Sequence, residues 1–294
     1  MNKKILITGG GGFIAKSLYE HLRLEHTVLI EGRDELNLLD SSGTLKYIKD
    51  GQFDVVIHTA NHDAAPRFST KDPNLVLENN LKMFFNIVRC EDYFGKMIYY
   101  GSGAEFGRQN WIPKMKETYF DENVPQDQYG LAKYAMTKHA LLSNNIYNLR
   151  LFGVFGEHDD WRYRFISNAC CKAVLDMPIT FRKNVFFDFL YIQDLVKITK
   201  WFIDNKSSEK VYNICSGQTH DYQSLAKRIV NISSKNLEVK SLFDGLGDEY
   251  SGDNSLLLSE IQDFEFTPIN DAIKSMYEWY NSNKQIIKKE LFEY

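Results

Sequence analysis

Along the first half of the chain, short apolar runs alternate with segments whose apolar residues recur every three to four positions. The runs Lys4–Thr8, His26–Ile30, Asp54–His58, Lys96–Tyr100 and Tyr147–Phe152 have the length and β-prone content of buried strands. Between them the spacing predicts helices near Ile14–Leu24, Leu75–Arg89 and Asp127–Leu142. In the second of these, Leu77, Leu81, Phe84 and Val88 fall on one helical stripe, which must pack on a sheet or on another helix. Regular alternation of strand and helix predicts an α/β fold on a doubly wound parallel sheet.

After residue 155 the rhythm loosens. A helix near Arg164–Leu175, strand-like pieces at Phe186–Leu190 and Lys210–Ile214, and a last helix near Asp271–Asn281 predict a smaller α+β unit whose chain returns to the main sheet. The division expected is a larger domain of residues 1–163, rejoined by 187–215, and a smaller domain of 164–186 and 216–294. A chain of 294 residues is long enough for both. Ser251–Ser255 reads as a short polar turn.

Net charge narrows the partners. At −4, with a pI near 6.0, the chain lacks the positive field of a nucleic-acid-binding protein. No apolar run approaches the roughly 18 residues of a membrane span, and the start shows no secretory pattern, so a cytoplasmic protein is expected. Cys90, Cys170, Cys171 and Cys215 have neither metal-like nor redox-like spacing and are expected to be buried thiols. His58 and His62 fall on a strand end and a loop, and no metal is expected there.

The chemistry begins where the first strand ends. Lys4–Thr8 runs into Gly9-Gly10-Gly11-Gly12-Phe13-Ile14-Ala15, a strand, a glycine turn and a helix start. Gly9 permits a tight turn, Gly12 lets the backbone approach a pyrophosphate, and small Ala15 lets the helix lie close to the strand. The free amides of the helix start, with Phe13 and Ile14 in its first turn, then face the anion. This is the expected dinucleotide site. Near the end of the second strand, Glu31 can hold a ribose diol, as in NAD binding, whereas Arg33 can pair with the 2′-phosphate of NADP. Both are present; Arg33 favours NADP, with NAD open.

Tyr129 and Lys133 are four residues apart, on one face of a helix. An ammonium near a phenol favours the phenolate and fits tyrosine to pass a proton. Ser102 follows the fourth strand, at the end of the sheet where ligands bind. Tyr280 and Lys284 repeat the spacing near the C-terminus, but no strand-end serine precedes them at a suitable distance, and they read as a solvated helix face.

Together the glycine turn, Ser102, Tyr129/Lys133, Asp188–Asp194 and Tyr212–Ile214 resemble the nucleotide-sugar epimerase/dehydratase/reductase family of extended short-chain dehydrogenases, over nearly the whole chain. The resemblance implies a Rossmann fold and a homodimer paired through the helices near Leu75–Val88 and Tyr129. Gly32–Ser41 is most similar to GDP-fucose synthases, which are NADPH-dependent 4-keto-sugar reductases. In that family Asp40 would lie near adenine, and Ala60 and Asn80 would line the cofactor groove; the alternatives are a turn cap for Asp40 and a core amide for Asn80.

Departures from the family narrow the reaction. Dehydratases carry an Asp-Glu pair directly after the strand-end hydroxyl, where this chain has Gly103 and Ala104, with Glu105 displaced by one residue. GDP-fucose synthases use a Cys where this chain has Ala104 and a His near Arg164 for epimerisation, and neither is present. Phe187 and Gly153 replace an Arg and an Asn that usually contact substrate. Glu105, Arg164 and Arg182 are candidate substrate contacts, the arginines, or Lys183, as replacement charges for a diphosphate; each is equally readable as a solvated charge.

What remains is reduction of the 4-keto group of a nucleotide-linked hexose by NADPH or NADH, in activated-sugar synthesis for surface polysaccharide. The alternatives are a 4-epimerase with retained NAD and a non-catalytic dinucleotide-binding scaffold.

Overall fold

The computed structural model describes residues 2–64 and 69–292. The elements, in chain order, are β1 (Lys4–Thr8), α1 (Phe13–Leu22), β2 (Thr27–Glu31), α2 (Ser41–Gly51), β3 (Phe53–His58), α3 (Val76–Val88), β4 (Phe94–Ser102), α4 (Gln128–Leu142), β5 (Ile146–Leu151), β6 (Gly153–Phe155), α5 (Phe165–Val174), β7 (Ile179–Phe181), β8 (Phe186–Tyr191), α6 (Ile192–Asp204), β9 (Val211–Ile214), β10 (Thr219–Asp221), α7 (Tyr222–Ser233), β11 (Val239–Ser241), α8 (Ser255–Glu260) and α9 (Ile269–Ser282).

The main sheet has the order β2-β1-β3-β4-β5-β9, all pairs parallel. The chain starts in its middle and is wound outward in both directions, which opens a crevice at the carboxyl ends of the strands. Strands β1, β3 and β5 are buried on nearly every residue, as continuous apolar runs require between two helix layers. Helices α1 and α6 pack together, as do α3 and α4. On α3 the expected stripe holds: Phe84 and Val88 are buried, and Leu77 and Leu81 pack half-buried beside them.

A three-stranded sheet, β10-β8-β6, and a two-stranded one, β11-β7, build the smaller unit with α5, α7 and α9. Here the expected division shifts. Residues 187–191 pair with β6 and β10 and do not rejoin the main sheet; the return is made by α6 and β9. The Ser251–Ser255 segment is more than a turn. Gly252 bridges to Met115, the Asp253 amide donates to the Met115 carbonyl at 2.8 Å, and Ser251 is wholly buried, so this segment binds the smaller unit to the loop below β4.

Tyr280 corrects the expectation of a solvated face: it is wholly buried in the core between α5, α7 and α9. Its helix places Ala272, Ile273, Met276 and Tyr280 inward at three- and four-residue steps. All four cysteines are buried thiols. No helix among the described residues is long and apolar enough to cross a membrane.

Candidate active site

Two cavities meet at Thr59, Asn61 and Asp63. The first, of about 520 Å³, is lined by Gly9, Gly11, Gly12, Arg33, Ala60 and Lys71 among others. Gly9 has φ of +75°, and a Cβ there would sit 2.7 Å from the Ala60 backbone, so the turn closes against β3 only without a side chain. Helix α1 starts at Gly12 with no side-chain cap, leaving the amides of its first turn without a partner of their own. These features fit a pyrophosphate. Ala15 lies under the turn in the core, and Phe13 and Ile14 line the second cavity.

Arg33 is exposed into the groove, but Glu31 is not aimed there: its carboxylate accepts a hydrogen bond from Tyr47 at 2.6 Å. Two other expected cofactor contacts are corrected. Asp40 caps α2, accepting from the Ser42 and Gly43 amides at 3.1 Å each. Asn80 is buried and clamps the loop after β3, donating to the His62 and Val76 carbonyls and accepting from the His62 amide. Its neighbour Asn79 lines the groove instead.

The second cavity, about 780 Å³, holds Ser102, Tyr129 and Lys133. Strand β4 ends at Ser102, and Asp127 caps α4 through the Gly130 amide at 2.9 Å, which fixes where the helix starts and so where Tyr129 and Lys133 point. The Tyr129 phenol and the Ser102 hydroxyl both line this cavity. Burial and the Asp63 carboxylate push the Tyr129 phenol up to about 12, against Ser102 and the guanidiniums of Arg164 and Arg108. Lys133 donates to the Tyr100 carbonyl at 2.7 Å, and its ammonium stands 5.7 Å from the centre of the Tyr129 ring. Burial pulls it down to about 8, against the carboxylates of Glu105 and Asp63.

Around this group stand Trp111, Phe152, Tyr163, Phe187 and Tyr250, an apolar wall suited to the face of a sugar. Arg164 lines the crevice beside Tyr163; desolvation opposes its charge, and Asp159, Tyr163 and Tyr129 together outweigh that and raise its pKa. Two expected substrate contacts lie elsewhere. Glu105 is wholly buried, paired with Arg150 and bonded to Thr137 and Asn148. Arg182 is exposed away from the crevice, over the Phe243 ring. His58 bonds Thr8 at 2.9 Å and is held down at about 3 by burial, while His62 bonds the Asp72 carbonyl, so the two imidazoles have separate partners.

Sequence reasoning missed Asp63, Arg108, Trp111 and Tyr250. Asp63 and Trp111 are on irregular segments, Arg108 opens a single 3-10 turn, and Tyr250 is an aromatic residue in a polar run far along the chain. Only the placement of that run over Ser102 reveals its part.

Residues 5–215 match the NAD dependent epimerase/dehydratase family. The chain belongs to this family. It is 22% identical to an ADP-L-glycero-D-manno-heptose-6-epimerase of Brachyspira hyodysenteriae, over 93% of this chain and 96% of that one. It is 24% identical to a GDP-6-deoxy-D-mannose reductase of Pseudomonas aeruginosa, over 81% and 83%. Its fold matches a GDP-L-fucose synthetase from Naegleria fowleri bound to NADP, with a TM-score of 0.84 at 20% identity, over 98% of this chain and 97% of that one. The family makes this an NAD(P)-dependent enzyme, and both of these relatives are named for nucleotide-linked sugars.

Proposed function

We propose that the protein reduces the 4-keto group of a nucleotide-linked hexose, with NADPH as the favoured cofactor. One observation carries this reading: a hydroxyl pair, Ser102 and Tyr129, faces the crevice beside Lys133, while no carboxylate of the turn after Ser102 faces it. Loss of water needs an acid and a base at that turn. Reduction needs one proton delivered to one oxygen.

When bound, the reduced dinucleotide supplies the hydride that adds to carbon 4. Ser102 and Tyr129 hydrogen-bond the ketone oxygen and hold it in place. Tyr129, with its raised pKa, stays protonated at neutral pH and gives its proton to the oxygen as negative charge develops. Lys133 holds a positive charge behind it, fixed by the Tyr100 carbonyl. Arg164 and Arg108 supply charge for the diphosphate, and Arg33 for the 2′-phosphate of the cofactor. The name of the Pseudomonas aeruginosa relative, a reductase, agrees with this direction of reaction.

The experiment is to denature the purified protein and measure any dinucleotide released. The reading predicts an empty site that binds NADPH more tightly than NADH. Stoichiometric NAD would overturn it in favour of a 4-epimerase that keeps its cofactor. We also infer a homodimer through α3 and α4, supported by exposed Phe85 and Leu141 on those helices; a monomer by sedimentation equilibrium would remove that inference. A role in the cytoplasm, supplying sugars for surface polysaccharide, is part of the same proposal.

A further inference from the structure

The two oxygens of Asp127 have different partners. Oδ1 accepts the Gly130 amide at 2.9 Å and starts α4, the helix that carries Tyr129 and Lys133. Oδ2 faces the Nε of Arg108 at 3.5 Å, in the cavity that holds Ser102 and Tyr129. A Cβ on Gly130 would lie 2.6 Å from the Ala104 carbonyl oxygen, so the first turn of α4 rests directly on the turn after Ser102. The place where Asp127 starts the helix therefore sets how Tyr129 stands relative to Ser102.

Arg108 is held from a second side as well. Its guanidinium carbon is 5.4 Å from the centre of the Trp111 ring, and the Trp111 indole donates to the Gly103 carbonyl at 3.0 Å. Carboxylate, indole and the turn after Ser102 thus form one frame around the guanidinium. Pairing through Nε leaves the N–H groups of the two terminal nitrogens for an anion, in the fork that fits a phosphate. Both side chains of the pair are part-exposed, so it is screened and contributes little to the stability of the fold. Its effect is to restrict where a long, flexible side chain points, which leaves less freedom to lose when a ligand binds.

We propose that Asp127 is a positioning residue that joins the substrate's diphosphate to the catalytic helix: one carboxylate oxygen orients Arg108 toward the diphosphate, while the other fixes the start of α4 and with it Tyr129. The proposal rests on a nucleotide-linked substrate and on Tyr129 as its proton donor. An uncharged serine or asparagine would cap the helix equally well. Only a carboxylate also holds a guanidinium.

The test separates the two oxygens. Asp127→Asn keeps an acceptor for the Gly130 amide and removes the charge opposite Arg108; Asp127→Ala removes both. Binding of GDP, UDP, ADP and dTDP is measured by isothermal titration for the wild type, Asp127→Asn, Arg108→Ala and the double variant. For the nucleotide that binds most tightly, Asp127→Asn should weaken binding about 3- to 10-fold and Arg108→Ala about 10- to 100-fold. In the Arg108→Ala background, Asp127→Asn should add nothing further. In turnover, Asp127→Asn should raise KM about 3- to 10-fold with the smaller effect on kcat, whereas Asp127→Ala should also lower kcat about 10- to 100-fold, because Tyr129 is displaced. A wild type that binds none of the four nucleotides, an Asp127→Asn effect that is absent or is undiminished without Arg108, or equal kcat in the two Asp127 variants overturns the proposal. The titration needs no turnover, so coupling of Asp127 to Arg108 in a protein that reduces no 4-keto sugar would remove the proposed reaction and leave their joint role standing.

Discussion

Glu105, in the turn that follows Ser102, and Arg150 form an ion pair in which both side chains are wholly buried. Arg150 also donates to Asn213 at 3.0 Å and lies 4.3 Å from the centre of the Phe106 ring, while Glu105 accepts from Thr137 and Asn148. The pair costs desolvation that only mutual attraction and these hydrogen bonds offset. Removing one partner leaves a buried charge. Glu105→Gln should therefore destabilise the fold by about 3–5 kcal/mol, read as a lower urea midpoint. A cost below about 1 kcal/mol would mean that the Arg150 charge is satisfied without the carboxylate.

Lys133 sets a pH limit. Its pKa in the folded protein is lowered from the ordinary lysine value to about 8, so the ammonium is present below about 8 and is lost as pH rises through it. Because kcat/KM reports groups of the free enzyme, its value for reduction should fall above pH ~8, while Tyr129 is still protonated. Lys133→Arg stays charged at every accessible pH. It should be slower but lack that fall; the same fall in the variant would place the titrating group elsewhere.

The sequence made the parallel sheet and its chemistry readable for a physical reason. Strands buried on both faces are continuous apolar runs, and Gly9, Gly12, Ser102, Tyr129 and Lys133 are read locally, from spacing and from position at strand ends. Helices α2 and α7, which the spacing does not predict, begin at the caps Asp40 and Asp221; of the two readings of Asp40, cofactor contact and turn cap, the cap is the one its hydrogen bonds support. Helix α6 carries an apolar stripe, Ile192, Leu195, Val196, Phe202 and Ile203, hidden because its start falls within a recognisable motif. Charged residues were least legible. Nothing in the spacing distinguishes Glu105, turned inward to distant Arg150, from Arg164, turned into the crevice beside its near neighbours Asp159 and Tyr163.

Arg33 lines the groove while Glu31 is held by Tyr47, so the two readings of cofactor preference separate experimentally. Arg33→Ala should weaken NADPH binding about 10- to 100-fold, the worth of roughly 1.5–3 kcal/mol for a charge-assisted phosphate contact, and leave NADH nearly unchanged. Isothermal titration of the apoprotein measures both. Equal losses for the two cofactors would show that Arg33 does not contact the 2′-phosphate.

The most direct test follows the hydride itself. Purified protein is given NADPH carrying deuterium at the transferred position, with nucleotide-linked 4-ketohexoses of differing base, and the products are examined by mass spectrometry and NMR. The account predicts one deuterium at carbon 4 of the sugar for each NADPH consumed, with the reaction abolished in Tyr129→Phe. Interconversion of 4-hydroxy epimers with no net NADPH consumption and no deuterium in the sugar would contradict it.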